Sequence, residues 1–123
     1  MKELTKAEEQ VMQILWDKKK VFVKEILAEM PNPKPAYNTV STIVRILESK
    51  GFVSYDVFGN SHRYYPLIEK DVYRKFTMDQ MVKGYFGGSA TNLISFFIKE
   101  KSLDINDLDE IINTIQSQKG GEK

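Results

Sequence analysis

The stretch "NTVSTIVRIL", Asn38 to Leu47, holds the most regular set of chemically active side chains in the sequence. Asn38, Ser41, Thr42 and Arg45 recur at i, i+3, i+4 and i+7, one face of a helix, and Val40, Ile43, Val44 and Leu47 recur with the same spacing on the other. Exposed helix faces are usually filled with Glu, Lys, Gln or Arg. Asn, Ser and Thr are each several tenths of a kcal/mol worse than Ala in a helix, so their concentration here asks for a reason. An amide, two hydroxyls and a guanidinium are short groups that donate and accept hydrogen bonds. They suit the edges of base pairs in a DNA major groove, which offer mixed donors and acceptors plus the thymine methyl. Long Lys side chains on that face would hold the helix away, and Glu would repel phosphate. Thr39, near the helix start, is placed for a phosphate. The alternative is that Ser and Thr are merely tolerated on a helix anchored by its other face, and the stripe alone does not decide between the two.

The surrounding elements tip the balance. Thr5 with Glu8 is a capping-box pattern that opens a first helix with Val11, Ile14, Leu15 and Trp16 on its apolar side. "VFV", Val21 to Val23, is a short β-prone run; Val23, Ile26, Leu27 and Met30 then mark a second helix of about two turns, weakly started because Phe22 cannot cap it. "PNPKP" stops that helix and stiffens the approach to the third, which ends in a basic residue, Lys50, and a C-capping Gly51. "FVSYDVFGNSHRYYPL", Phe52 to Leu67, is two strand-like runs around a Gly59-Asn60 turn, with Pro66 confining the second strand to an edge or its end. Helix, short strand, helix, turn, helix, β-hairpin is the layout of a winged helix-turn-helix. The expected fold is mainly α with a small β-hairpin wing, divided into a DNA-binding domain over 1–71 and a helical dimerisation domain over 72–123.

The basic residues from Lys34 to Arg63 are Lys34, Arg45, Lys50 and Arg63, against Glu48 and Asp56. Asn60, His62 and Arg63 at the hairpin tip are placed to meet backbone or minor-groove edge, although a few surface cations are by themselves also what a solvated hairpin end looks like. The expected DNA-facing set is Lys34, Asn38, Thr39, Ser41, Thr42, Arg45, Asn60, His62 and Arg63. Tyr55, Phe58, Tyr64 and Tyr65 are assigned to packing at the core or the base of the wing.

Beyond Leu67, "EKDVYRKFTMDQMVKGYF" reads as a helix with Val72, Phe76, Val82 and Tyr85 among its apolar positions, broken by "GGS" at Gly87 to Ser89. "ATNLISFFIKE" follows, apolar on most sides. A last helix starts near Asp104, with Asp107 three residues on, and carries Ile105, Leu108, Ile111, Ile112 and Ile115; "QSQKGGEK" reads as a polar tail. Three short helices this apolar are marginal as a core of their own. Dimerisation through Leu93, Ile94, Phe97, Leu108, Ile111 and Ile115 is the expected remedy, and folding back onto the N-terminal domain is the alternative.

Composition sets bounds. The chain has 123 residues, 41% hydrophobic and 28% charged, with a formal net charge of +1, so any basic site is local. It has no cysteine, which excludes disulfides and thiolate metal sites. "MKELTKAEEQ" is unlike a signal peptide and no segment resembles a membrane span, so a cytoplasmic protein is expected. There is one histidine, His62, and no HExxH, no G-x-S-x-G and no glycine-rich phosphate loop after a strand; "GYFGGS" lacks the strand and the lysine. Neither an enzyme nor a bound metal or cofactor is expected. A protein-protein interaction module built on a winged helix is the rival to DNA binding, with the near-zero net charge in its favour.

Along nearly its full length the sequence resembles the BlaI/MecI family of penicillinase repressors. The resemblance rests on "LTKAEEQVMQILW", "YNTVSTIVRILESKGF", the wing ending "YYPL", the "GG" between C-terminal helices and "SLDINDLDEI". It implies a homodimeric transcriptional repressor on a palindromic operator, with a winged helix on each half-site and a C-terminal three-helix region joining the subunits. It places Asn38, Thr39, Ser41, Thr42 and Arg45 at DNA-facing positions. It also implies release by cleavage at an Asn-Phe bond in the second C-terminal helix, after a membrane sensor detects a β-lactam. The matching bond here is Phe96-Phe97, with Phe in place of Asn. Copper-responsive relatives carry C-terminal cysteine pairs, which this chain lacks.

Overall fold

The computed structural model describes residues 1–121. The chain forms two compact units, Met1–Thr77 and Met78–Lys123. The first contains α1 (Lys6–Lys18), β1 (Val21–Phe22), α2 (Val23–Glu29), α3 (Tyr37–Ser49), β2 (Val53–Phe58) and β3 (Ser61–Pro66); α4 (Lys70–Tyr85) spans the division, and α5 (Ala90–Lys99) and α6 (Ile105–Gly121) follow. It is a winged helix-turn-helix with a mainly helical remainder.

Local signals fix most helix ends. Thr5 Oγ1 accepts the Glu8 amide at 3.2 Å while Glu8 Oε1 accepts the Thr5 amide at 2.9 Å, a complete capping box on α1. Phe22 offers α2 no side-chain cap, but Glu25 returns a carboxylate oxygen to the Phe22 amide at 2.9 Å, half of the same device. At the far end of α3, Gly51 takes φ +81°, its amide donating to Glu48 and that of Phe52 to Leu47. This pair of bonds closes the helix and turns the chain into β2.

The wing has one strand more than the hairpin. β1 pairs antiparallel with β3, Val21 opposite Tyr64 and Phe22 opposite Arg63, giving the order β1-β3-β2. β3 is therefore central, and Pro66 is accommodated because it is the last residue of the strand. Gly59 (φ +60°) makes the two-residue turn possible.

Val11, Met12, Leu15, Ile26, Val40, Val44, Leu47 and Phe52 form the centre of the core, sealed off from solvent. Two residues of α4 complete it. Tyr73 packs against Phe52 and Trp16, and its hydroxyl accepts the Leu4 amide at 2.8 Å; Phe76 lies beside it. Trp16 Nε1 donates to the Ile68 carbonyl at 2.9 Å. For this reason the first compact unit runs past position 71 to Thr77. Val72 and Tyr85, apolar positions by the sequence pattern, are exposed, because the stripe that meets the core is the Tyr73-Phe76 pair.

In the second unit Ser89 caps α5 through the Asn92 amide, and Asp104 and Asp107 exchange amide-carboxylate bonds at 3.0 Å to start α6. Gln116 to Gly121 continue α6 instead of forming a tail, since Gln and Lys propagate a helix readily. Glu122 and Lys123 of that expected tail lie outside the described residues.

Candidate nucleic-acid interface

α3 buries Val40, Val44 and Leu47 completely and half-buries Ile43. The opposite face therefore looks away from the core: Asn38, Thr39, Thr42 and Arg45 are exposed and Ser41 is half-buried. Thr42 Oγ1 donates to the Asn38 carbonyl one turn back at 2.9 Å, which leaves its oxygen free to accept and its methyl to touch. Arg45 makes no hydrogen bond or ion pair among the described residues. No side chain caps the start of α3, because the N-cap position is Ala36.

The wing stands beside this face. Tyr37, Ser41 and Arg45 on α3 and Asn60, Ser61 and His62 on the wing line one open groove of ≈ 750 Å³, whose floor includes Tyr64. His62 is held flat against Tyr55, with ring centroids 4.1 Å apart and planes 8° apart. Burial, and after it the nearby Glu48 charge, raises the Tyr64 phenol above its ordinary value while Arg45 opposes them; the hydroxyl stays neutral. Residues from two distant parts of the sequence thus converge on one surface.

Two of the nine expected residues are differently engaged. Lys34 turns its ammonium onto the Leu27, Ala28 and Met30 carbonyls at 3.4, 2.8 and 2.8 Å, the end of α2. Arg63 alternates to the other side of β3 from His62 and lies across the Phe58 ring at 4.4 Å, with its Nε buried and unbonded. Lys50 pairs with the buried Glu8 at 2.6 Å and Asp56 with Lys20 at 3.3 Å. Tyr37, Lys24 and Ser61 line the groove without having been singled out from the sequence. Tyr37 had a signal: 37, 41 and 45 share one stripe at i, i+4, i+8.

Of the residues expected to join subunits, Leu93 is buried. Ile94, Phe97 and Ile115 are exposed, and Leu108 and Ile111 half-buried. Phe96 and Phe97 sit inside α5, where the Phe96 carbonyl accepts the Glu100 amide at 2.9 Å. Among the described residues no helix is long and apolar enough to cross a membrane, and no three His, Asp or Glu side chains are grouped to hold a metal ion.

The chain is similar to the methicillin resistance regulatory protein MecI of Staphylococcus aureus (strain N315), 25% identical over 117 residues covering 94% of this chain and 95% of MecI. It is 28% identical over 120 residues to a penicillinase repressor of Staphylococcus aureus, with the same coverage. Its structure resembles that of the DNA-binding domain of the repressor BlaI, with a TM-score of 0.51 and 25% identity over 59% of this chain and 94% of that domain. The penicillinase repressor family model matches residues 4–117, and the chain belongs to that family of transcriptional repressors rather than to a class of enzymes.

Proposed function

We propose that the protein is a homodimer that represses transcription by binding a palindromic DNA operator, each winged helix reading one half-site from the major groove. The observation that carries this is the convergence of Ser41 and Arg45 on α3 with Asn60 and His62 on the wing around a single groove. In this function Asn38, Ser41, Thr42 and Arg45 meet base edges, Thr39 and the uncapped amides of the first turn of α3 meet a phosphate, and the wing meets the adjoining backbone. Ile94, Phe97, Leu108, Ile111 and Ile115, with Leu93 beneath them, join two copies, and two-fold symmetry then explains a palindromic site. Release by a sensor-linked protease at Phe96-Phe97 requires the surrounding turns of α5 to unwind, since that bond lies within the hydrogen-bonded helix.

Fluorescence anisotropy on labelled DNA from upstream of the protein's own gene, against a scrambled duplex and across a salt series, tests the proposal. The expected result is a preference of about a thousandfold or more with a steep salt dependence. Equal affinity for the two duplexes rejects sequence-specific repression at that site.

A further inference from the structure

Lys34 and Lys50 bracket α3; Lys34 belongs to the expected DNA-facing set, and Lys50 is the basic residue that ends the helix. We propose instead that they are positioning residues, each tied inward, which together fix the two ends of α3. The proposal rests on the DNA-reading function above.

α2 is only seven residues long, has no basic residue in its last turn and ends at Met30 without a glycine. The Leu27 carbonyl accepts the Met30 amide at 3.1 Å, but the other final carbonyls, at the negative end of the helix dipole, need donors from elsewhere. The Lys34 ammonium supplies them, with a carbonyl for each of its three protons. Lys34 stands two residues before Ala36, between Pro33 and Pro35, so the chain from the anchored ammonium to the first turn of α3 has little freedom. Pinning Lys34 to α2 sets where α3 begins.

At the other end, the Lys50 backbone amide donates to Ile46 at 2.9 Å while its ammonium reaches Glu8 at 2.6 Å and the Glu3 carbonyl at 3.5 Å. Glu8 is itself fixed by the capping box of α1. The last turn of α3 is thereby tied to the first turn of α1. Arg45, lying between these anchors, has no such engagement and is the cation that α3 presents outward.

The test compares Lys34→Met, Lys50→Met and Glu8→Gln/Lys50→Met, which avoids stranding a buried carboxylate, with Arg45→Ala. Two readouts are used: anisotropy on the operator over a salt series, and amide hydrogen exchange at Thr39 and Val40, whose amides both donate to Ala36, and at Ile46–Ser49 in the free protein. Each lysine variant is expected to weaken operator binding by about tenfold, the size of one lost base contact, without changing the salt slope. The amides at the affected end of α3 should exchange about tenfold faster or more. Arg45→Ala should leave exchange unchanged. A salt slope reduced by about one with unchanged exchange identifies the lysine as a phosphate contact and overturns the proposal. Wild-type affinity with faster exchange also overturns it, since the lysine is then merely structural, and so does no change in either readout. Lys34 lies on the surface, so its variant remains informative if Lys50→Met does not fold. Absence of operator preference in the wild-type protein rejects the DNA-reading function, and with it any role in placing α3 on DNA, whereas exchange separately decides whether the lysines hold the helix.

Discussion

Replacing Glu8 by Gln isolates the charge of one buried carboxylate. The side chain is 6% exposed, and its Oε1 lies 2.6 Å from Lys50 Nζ and 2.9 Å from the Thr5 amide nitrogen. Gln keeps the shape and an accepting oxygen but turns two charge-assisted hydrogen bonds into weaker ones. Bonds to charged groups contribute about 1.5–3 kcal/mol and neutral ones about 0.5–1.5, so the variant should lose about 1–2 kcal/mol. The loss stays below the roughly 3–5 kcal/mol of a broken, fully buried pair because the Lys50 side chain, 20% exposed, can turn to water. At about 4–8 °C per kcal/mol for a unit of this size, the Tm falls by about 4–16 °C. Trp16, the single tryptophan, packs within the Met1–Thr77 core, so its fluorescence follows the right transition.

The pH dependence is the sharper part of the experiment. Burial pushes the Glu8 carboxyl up, but the Lys50 ammonium and the Thr5 amide together outweigh it and hold the group below its ordinary value of 4.5. A depressed carboxyl stabilises the fold above the unfolded value and loses that contribution as pH falls through the folded one. The gap between wild type and Glu8→Gln should therefore be full at neutral pH and close below pH 4.5. No gap at neutral pH, or one that persists undiminished at about pH 3, refutes the assignment of the stabilisation to the ionised pair.

Arg45→Ala should weaken specific binding by about 1–3 kcal/mol at one operator position and leave dimerisation intact; equal loss on all sequences in competition titrations would make Arg45 a phosphate contact. Phe97→Asp should shift the protein to monomer in sedimentation while the Trp16 transition stays in place, and a dimer of undiminished affinity removes Phe97 from the interface. Tyr73→Phe deletes the acceptor of the buried Leu4 amide and should cost about 1–2 kcal/mol in urea unfolding; an unchanged midpoint shows that the amide finds another partner. Gly51→Ala meets nothing within 4 Å, so its cost is the backbone alone at φ +81°. About 1–2 kcal/mol is expected, read by the same method, and a neutral result means the turn relaxes.

What could be read from sequence was what is local. The capping boxes at Thr5-Glu8 and Asp104-Asp107, the Gly51 stop and the Gly59-Asn60 turn each involve residues a few positions apart, and each is present in the structure. The two faces of α3 follow from spacing. Lys50 shows the limit: a basic last-turn residue by sequence, it pairs with Glu8 42 positions away, and nothing local points to that partner. Lys34 shows another limit: expected to face DNA, it has backbone carbonyls as its acceptors in the structure, which every residue supplies and no sequence marks. In α4 the apolar pattern admits several stripes, and only the aromatic cluster of Trp16, Phe52 and Tyr73 selects the one that is buried. Tyr37 shares the Ser41-Arg45 stripe, but it is aromatic and so stands apart from the short polar groups that mark that face.

The poor helix formers on α3 make sense once the two faces are weighed together. Relative to Ala, Asn38, Ser41 and Thr42 cost the helix about 1.5 kcal/mol in all. Burying Val40, Val44 and Leu47, each wholly removed from solvent, contributes about 1.5–3 kcal/mol apiece. The buried face outweighs the exposed one severalfold, so the exposed face is free to be chosen for what it touches. A thirteen-residue segment of this composition would be marginal as an isolated helix. Its helicity depends on the core beneath it, on the Gly51 turn and on the contacts at its two ends. The outward side chains are therefore presented only by the folded unit, and a change on the buried face, such as one at Val44, would reach those outward groups through the fold.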